Sequence, residues 1–172
     1  MKKVWIFLFV AILLSGCSKE TLETVSDVPV APAAAMKQQV YVQLPKELSS
    51  PTLQSEETGA LYLCDDYFVT VETVEAGDLS KTIQNTTGLR KENLQIMETK
   101  QDDVKRYQWV WTSNAETGTQ IGRGCILDDG AYHYVLTAQA DEQAAEKVQS
   151  AWKEIFASFQ LAEKGIHVNT GS

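Results

Sequence analysis

Between Lys105 and Ala138 the side chains keep returning to a period of two, and this stretch confines the chain to an antiparallel sheet. Tyr107, Trp109 and Trp111 alternate along a segment from Lys105 to Ser113. Gly118 turns the chain into a second segment, Gln120 to Leu127, where Gly122 and Gly124 alternate in the same way. Asp128-Asp129-Gly130 reads as a hairpin turn, because glycine tolerates the positive φ such turns need. Tyr132 to Ala138 is the returning strand. A period of two sends successive side chains to opposite faces of a sheet, so each of these strands presents two different surfaces.

The flanking segments add strands and two helices. Val40-Tyr41-Val42-Gln43-Leu44 alternates and stops at Pro45, which predicts a strand with Val40, Val42 and Leu44 inward. Leu61–Cys64 and Tyr67–Val74 are β-rich and are joined by Asp65-Asp66, a turn or a bulge. Asp78 is a good N-cap, Leu79 and Ile83 share a face, and Gly88 suits the C′ position. These signals predict a short helix over 79–86. Asn93 to Thr99 alternates again, with Leu94 and Ile96 on one side. Asp141 is placed to cap a helix reaching about Phe159. Its apolar positions, Ala144, Ala145, Val148, Trp152, Ile155, Phe156 and Phe159, form one broad face. Five or more antiparallel strands with a long amphipathic helix and a short one make an α+β domain.

Several of these features together resemble the PsbP-like fold. They are the strand ending at Pro45, the short helix closing with Thr87-Gly88, the aromatic strand pair, Asp129-Gly130 before Tyr132-x-Tyr134, and a last helix ending Ile155-Phe156-Ala157-Ser158-Phe159. The resemblance spans residues 39–161 and implies an α/β/α sandwich. That fold occurs in a photosystem extrinsic subunit, a nuclear-transport factor and many bacterial lipoproteins. It implies binding or accessory roles and carries over no active-site residue.

The N-terminus speaks to location. Lys2-Lys3 precede an unbroken apolar run, Val4 to Leu14, followed by Ser15, Gly16 and Cys17. This is the layout of an export signal. The run is about eleven residues, short of the roughly twenty that cross a bilayer core. Leu14-Ser15-Gly16-Cys17 resembles the lipobox of bacterial lipoproteins. The resemblance implies cleavage between Gly16 and Cys17 and a diacylglyceryl group on the Cys17 thiol. Two acyl chains anchor a protein stably. The expected organisation is a signal peptide over 1–16, a lipidated cysteine and flexible tether over 17–38, the domain over 39–161, and a tail over 162–172. The expected location is the extracytoplasmic face of a bacterial cell membrane.

Charge narrows the partners. The chain has 23 acidic and 15 basic side chains, a formal charge of −8, and loss of Lys2 and Lys3 makes it more acidic. It lacks the basic footprint of a nucleic-acid binder, and membrane binding falls to the lipid on Cys17. Cys64 and Cys125 have two readings. In an exported chain they can pair, closing a loop of roughly sixty residues worth ~4 kcal/mol. Alternatively they are two small buried hydrophobes. No cysteine–histidine spacing suits zinc, and no cofactor motif is present.

Three groups are candidate sites. Tyr107, Trp109 and Trp111 form either a binding face or a core stripe beneath a helix, with Trp152 and Phe156 as partners and Gly122 and Gly124 leaving room for rings. His133, between two tyrosines, is either an ordinary strand residue facing solvent or a general base or pH sensor; His167 lies in the tail. Asp65-Asp66 and Asp128-Asp129 suit turns better than metal or acid–base work. No nucleophile motif accompanies His133. The expected function is that of a lipid-anchored, non-catalytic, monomeric binding protein of the cell envelope, with another envelope protein as partner. The alternatives are a small-ligand binder and, behind it, a hydrolase using His133.

Overall fold

A computed structural model of the chain describes residues 36–55, 59–116 and 118–162. The elements run β1 (Val40–Tyr41), β2 (Leu53–Ser55), β3 (Gly59–Leu63), β4 (Tyr67–Glu75), α1 (Leu79–Thr87), β5 (Met97–Gln101), β6 (Val104–Ala115), β7 (Gly118–Asp128), β8 (Tyr132–Asp141), α2 (Ala145–Ser158) and β9 (Gln160–Leu161). Seven strands form one sheet in the order β2-β3-β4-β8-β7-β6-β5, with every neighbour antiparallel. β1 and β9 pair separately, Val40 opposite Leu161.

Alternation along the central strands builds two cores, one on each face. On one face Tyr134, Leu136 and Ala138 of β8 pack with Cys125 and Leu127 of β7 against Val148, Trp152, Ile155 and Phe156 of α2. On the other face Tyr107, Trp109, Trp111, Ile126 and Val135 pack against Ile83 of α1, with Leu79, Leu89, Leu94 and Ile96 at the margin. The sheet lies between two helical layers. This is the expected α+β sandwich.

Arg106 binds the sheet to α2. Its guanidinium donates to the carbonyl oxygens of Phe159 at 2.8 Å and Phe156 at 2.5 Å. Those carbonyls end the helix and have no partner further along it.

The capping signals of α1 behave as read. The Asp78 carboxylate accepts from the Ser80 N–H at 2.9 Å, and Gly88 takes the left-handed conformation at φ 73°. Other local readings are revised. The strand predicted over Val40–Leu44 spans only Val40–Tyr41, although Val40, Val42 and Leu44 all pack against the α2 core. The strand predicted from Asn93 begins at Met97; Lys91–Asn93 form a 3₁₀ turn, and Leu94 and Ile96 reach the α1 core from irregular backbone. Asp141 does not cap α2. It ends β8, makes no side-chain capping bond, and precedes a 3₁₀ turn over Glu142–Ala144. Gln38, assigned to the tether, belongs to the domain, since its amide donates to Asp129 at 2.8 Å. At the other end the Ala162 N–H bonds the Gln39 carbonyl at 2.8 Å.

Candidate functional site

The signal peptide, Gly16, Cys17 and the tether as far as residue 35 lie outside the described residues, as does His167. The internal candidates are all described.

Tyr107, Trp109 and Trp111 are core, with Trp109 only 3% exposed. Their partners are not Trp152 and Phe156, which occupy the opposite face, but Ile83, Ile126 and Val135. The glycine reading holds. A Cβ placed on Gly124 would fall within the Trp109 indole, and one on Gly122 within that of Trp111.

His133 is buried, not solvent-facing, at 2% exposure. β8 is an inner strand, and α1 covers the face to which His133 points. Its Nδ1 is 2.8 Å from the Thr82 hydroxyl, and its Nε2 is 3.9 Å from an Asp128 carboxylate oxygen. The second distance is too long for a hydrogen bond. Burial lowers the imidazole pKa, against the opposing pull of Asp128 and Asp129, and so favours the neutral ring. A hydroxyl, an imidazole and a carboxylate thus stand in sequence, but the imidazole faces the interior.

The aspartate pairs act in turns. Asp66 pairs with Lys147 of α2. Asp128 accepts from the Gly130 N–H at 2.8 Å. Asp129 accepts from the N–H groups of Ala131 and Tyr132 at 2.9 and 2.7 Å, and from the Tyr134 hydroxyl at 2.9 Å. With Gln38 that makes four donors on one carboxylate. Burial alone would raise its pKa, but these bonds outweigh burial and hold it below the ordinary value. Burial and Asp129 together push the Tyr134 hydroxyl up to about 12. Because the folded carboxylate holds its charge more tightly than the unfolded one, acid protonates the unfolded chain first. The stabilisation is complete above the unfolded carboxylate value, near 4, and is lost as pH falls through the lower folded one. Asp129→Asn is expected to lose roughly 2 kcal/mol at pH 7. Urea unfolding across pH should show that deficit shrinking in acid; a deficit independent of pH would contradict the assignment.

Cys64 and Cys125 are free thiols. Cys125 lies opposite Leu136, Leu136 opposite Val71, and Val71 opposite Ala60. Cys64 therefore stands three strands away and four residues further along. Three strand spacings alone are about 14 Å, beyond the ~7 Å Cα limit for a disulfide. The disulfide reading is set aside, and Cys125, fully buried, is a core residue. Burial pushes its thiol up to about 11, against the opposing charges of Arg106 and Arg123.

Sequence reasoning missed a groove at the sheet margin. β5 pairs with β6 only as far as Met97 opposite Gln108. Beyond that, the outer edge of β6 carries no strand among the described residues. A groove of about 620 Å³ follows this edge. Val110, Ile121 and Trp152 line it on the α2 side, and Leu89, Leu94 and Trp111 on the α1 side. Val110 is 67% exposed. Of the candidate aromatic face, Trp111 lines this groove while Tyr107 and Trp109 do not; Val110 was not singled out, because alternation gives its face but not its exposure. Among the described residues no group of three or more His, Cys, Asp or Glu is placed to hold a metal ion, and no helix is long and apolar enough to cross a membrane.

This architecture defines an α+β sandwich with a groove at one sheet edge. No family model matches the sequence, and no curated protein matches it. Solved structures do. The chain is similar to LpqN of Mycobacterium tuberculosis, described as involved in cell envelope biogenesis, with a TM-score of 0.51 and 12% identity over 73% of this chain and 84% of that one. At this identity the likeness shows the fold. The chain is also similar to the cyanobacterial PsbP of Synechocystis sp. PCC 6803, with a TM-score of 0.49 and 10% identity over 78% of this chain and 99% of that one.

Proposed function

We propose that this protein is a lipoprotein of the bacterial cell envelope, held through Cys17 at the extracytoplasmic face, that works by binding another envelope protein and not by catalysis. The groove along β6 carries the binding part of this reading: it is apolar and open, and the exposed Val110 stands in it. The lipobox resemblance of Leu14-Ser15-Gly16-Cys17 supports the location. The envelope description of LpqN, a protein of the same fold, agrees with it. The buried, neutral His133 gives a hydrolase reading little support.

Cross-linking in living cells at native expression, followed by mass spectrometry, tests the proposal. One reproducible envelope partner is expected, lost when Cys17→Ser releases the domain from the membrane. The absence of any reproducible partner would overturn it. Two tryptophans in the groove favour a small apolar ligand as the second reading, which predicts a ligand-dependent rise in Tm of the purified chain.

A further inference from the structure

We propose that the open edge of β6 takes an extended segment of the partner protein as an added β-strand. This rests on the binding reading above and names its mode. The ladder fixes which backbone groups are free. The Asp129 N–H bonds the Tyr132 carbonyl, and the Ala76 N–H bonds the Ala131 carbonyl. Antiparallel strands alternate hydrogen-bonded and non-bonded pairs. Carried across the uninterrupted registers of β8, β7 and β6, both bonds give the same result: Trp109 and Trp111 bond to β7. Val110 and Thr112 therefore turn their N–H and C=O groups outward, where β5 no longer reaches.

The groove has the shape that strand addition needs. A strand laid along Val110 and Thr112 sends alternate side chains to opposite faces. On the α2 face they meet Val110, Ile121 and Trp152; on the α1 face they meet Leu89, Leu94 and Trp111. Backbone pairing supplies affinity in this mode, and the two half-pockets supply selectivity. The Trp152 indole N–H, buried without a partner, lies in a residue of the α2-side wall. Charge identifies the segment further. The groove is lined by one cation, Arg123, and no anion, in a chain of net charge −8. Arg123 lies with its guanidinium carbon 4.6 Å from the centre of the Phe156 ring, on the α2 side. The occupant is thus an extended peptide with apolar residues alternating and an acidic side chain on the α2-facing row.

The purified full-length chain, panned against a displayed library of random twelve-residue peptides, tests this. Enriched peptides should show that alternation and slow the hydrogen exchange of the Val110 and Thr112 amides. Thr112→Pro removes only an outward donor, so the sheet keeps its internal bonds; it should weaken binding about tenfold. Methylating the peptide amides that face β6 should abolish binding, a readout that needs no protein variant. No enrichment, or enriched peptides indifferent to amide methylation, would overturn the proposal. So would a concentration-dependent dimer protecting the same amides, since the occupant would then be a second copy. A cross-linked partner in cells with no peptide enrichment would sink the edge while leaving the binding reading intact.

Discussion

Gly124→Val is expected to destabilise the domain by about 3–5 kcal/mol. The glycine is on β7 opposite Trp109, and any Cβ there falls inside the indole. The ring has nowhere to go, because Ile83, Ile126 and Val135 pack around it. Overpacking a filled core costs about 1–3 kcal/mol or more, and expelling a buried tryptophan costs about 3–5 kcal/mol. Either loss is a large share of the 5–15 kcal/mol typical of a whole domain. Far-UV circular dichroism and urea titration read the result. Trp109→Leu in the same chain should recover part of that stability by vacating the space, giving a strong favourable coupling in the double-mutant cycle. Additive losses would show that the two residues do not share one site.

The second large effect is expected at Arg106. Arg106→Met should destabilise the domain by about 3 kcal/mol, since hydrogen bonds to charged groups contribute about 1.5–3 kcal/mol each. Two are lost here, and two carbonyls at the end of α2 are left without their donor. The cation also complements the negative end of the helix dipole. Arg106→Lys should recover less than half, because an ammonium does not reproduce a planar fork aimed at two acceptors. Urea midpoints at constant slope decide it. If lysine restored full stability, charge alone and not the fork would explain the residue.

Much of the fold was legible because local chemistry and tertiary structure agreed. Gly122 and Gly124 stood at period two beside an aromatic strand, and they do make room for its rings. Asp78 and Gly88 delimited α1 because a cap is satisfied by backbone groups within one turn. The same logic failed at Asp141, where the β8 ladder extends three residues beyond Ala138 and claims the position. β2 and β9, of three and two residues, offer no period to detect. The candidate site was less legible than the fold. Tyr107, Trp109, Trp111 and His133 were singled out for their chemistry; all four are buried, and of them Trp111 reaches the groove wall. The groove arises instead where β5 stops short of the end of β6, a property of register and not of residue type.

The sequence by itself determined the α+β class, the two-sided strands, the turn at Asp128-Asp129-Gly130 and the capped short helix, because each depends on periodicity or on contacts within a few residues. Only the tertiary structure decided which helix covers which face, that Cys64 and Cys125 stand three strands apart, that His133 points inward, and that one edge of β6 carries no strand among the described residues. Those outcomes follow from strand order, and strand order is set by contacts between residues far apart in the chain, to which a local pattern of side chains is blind.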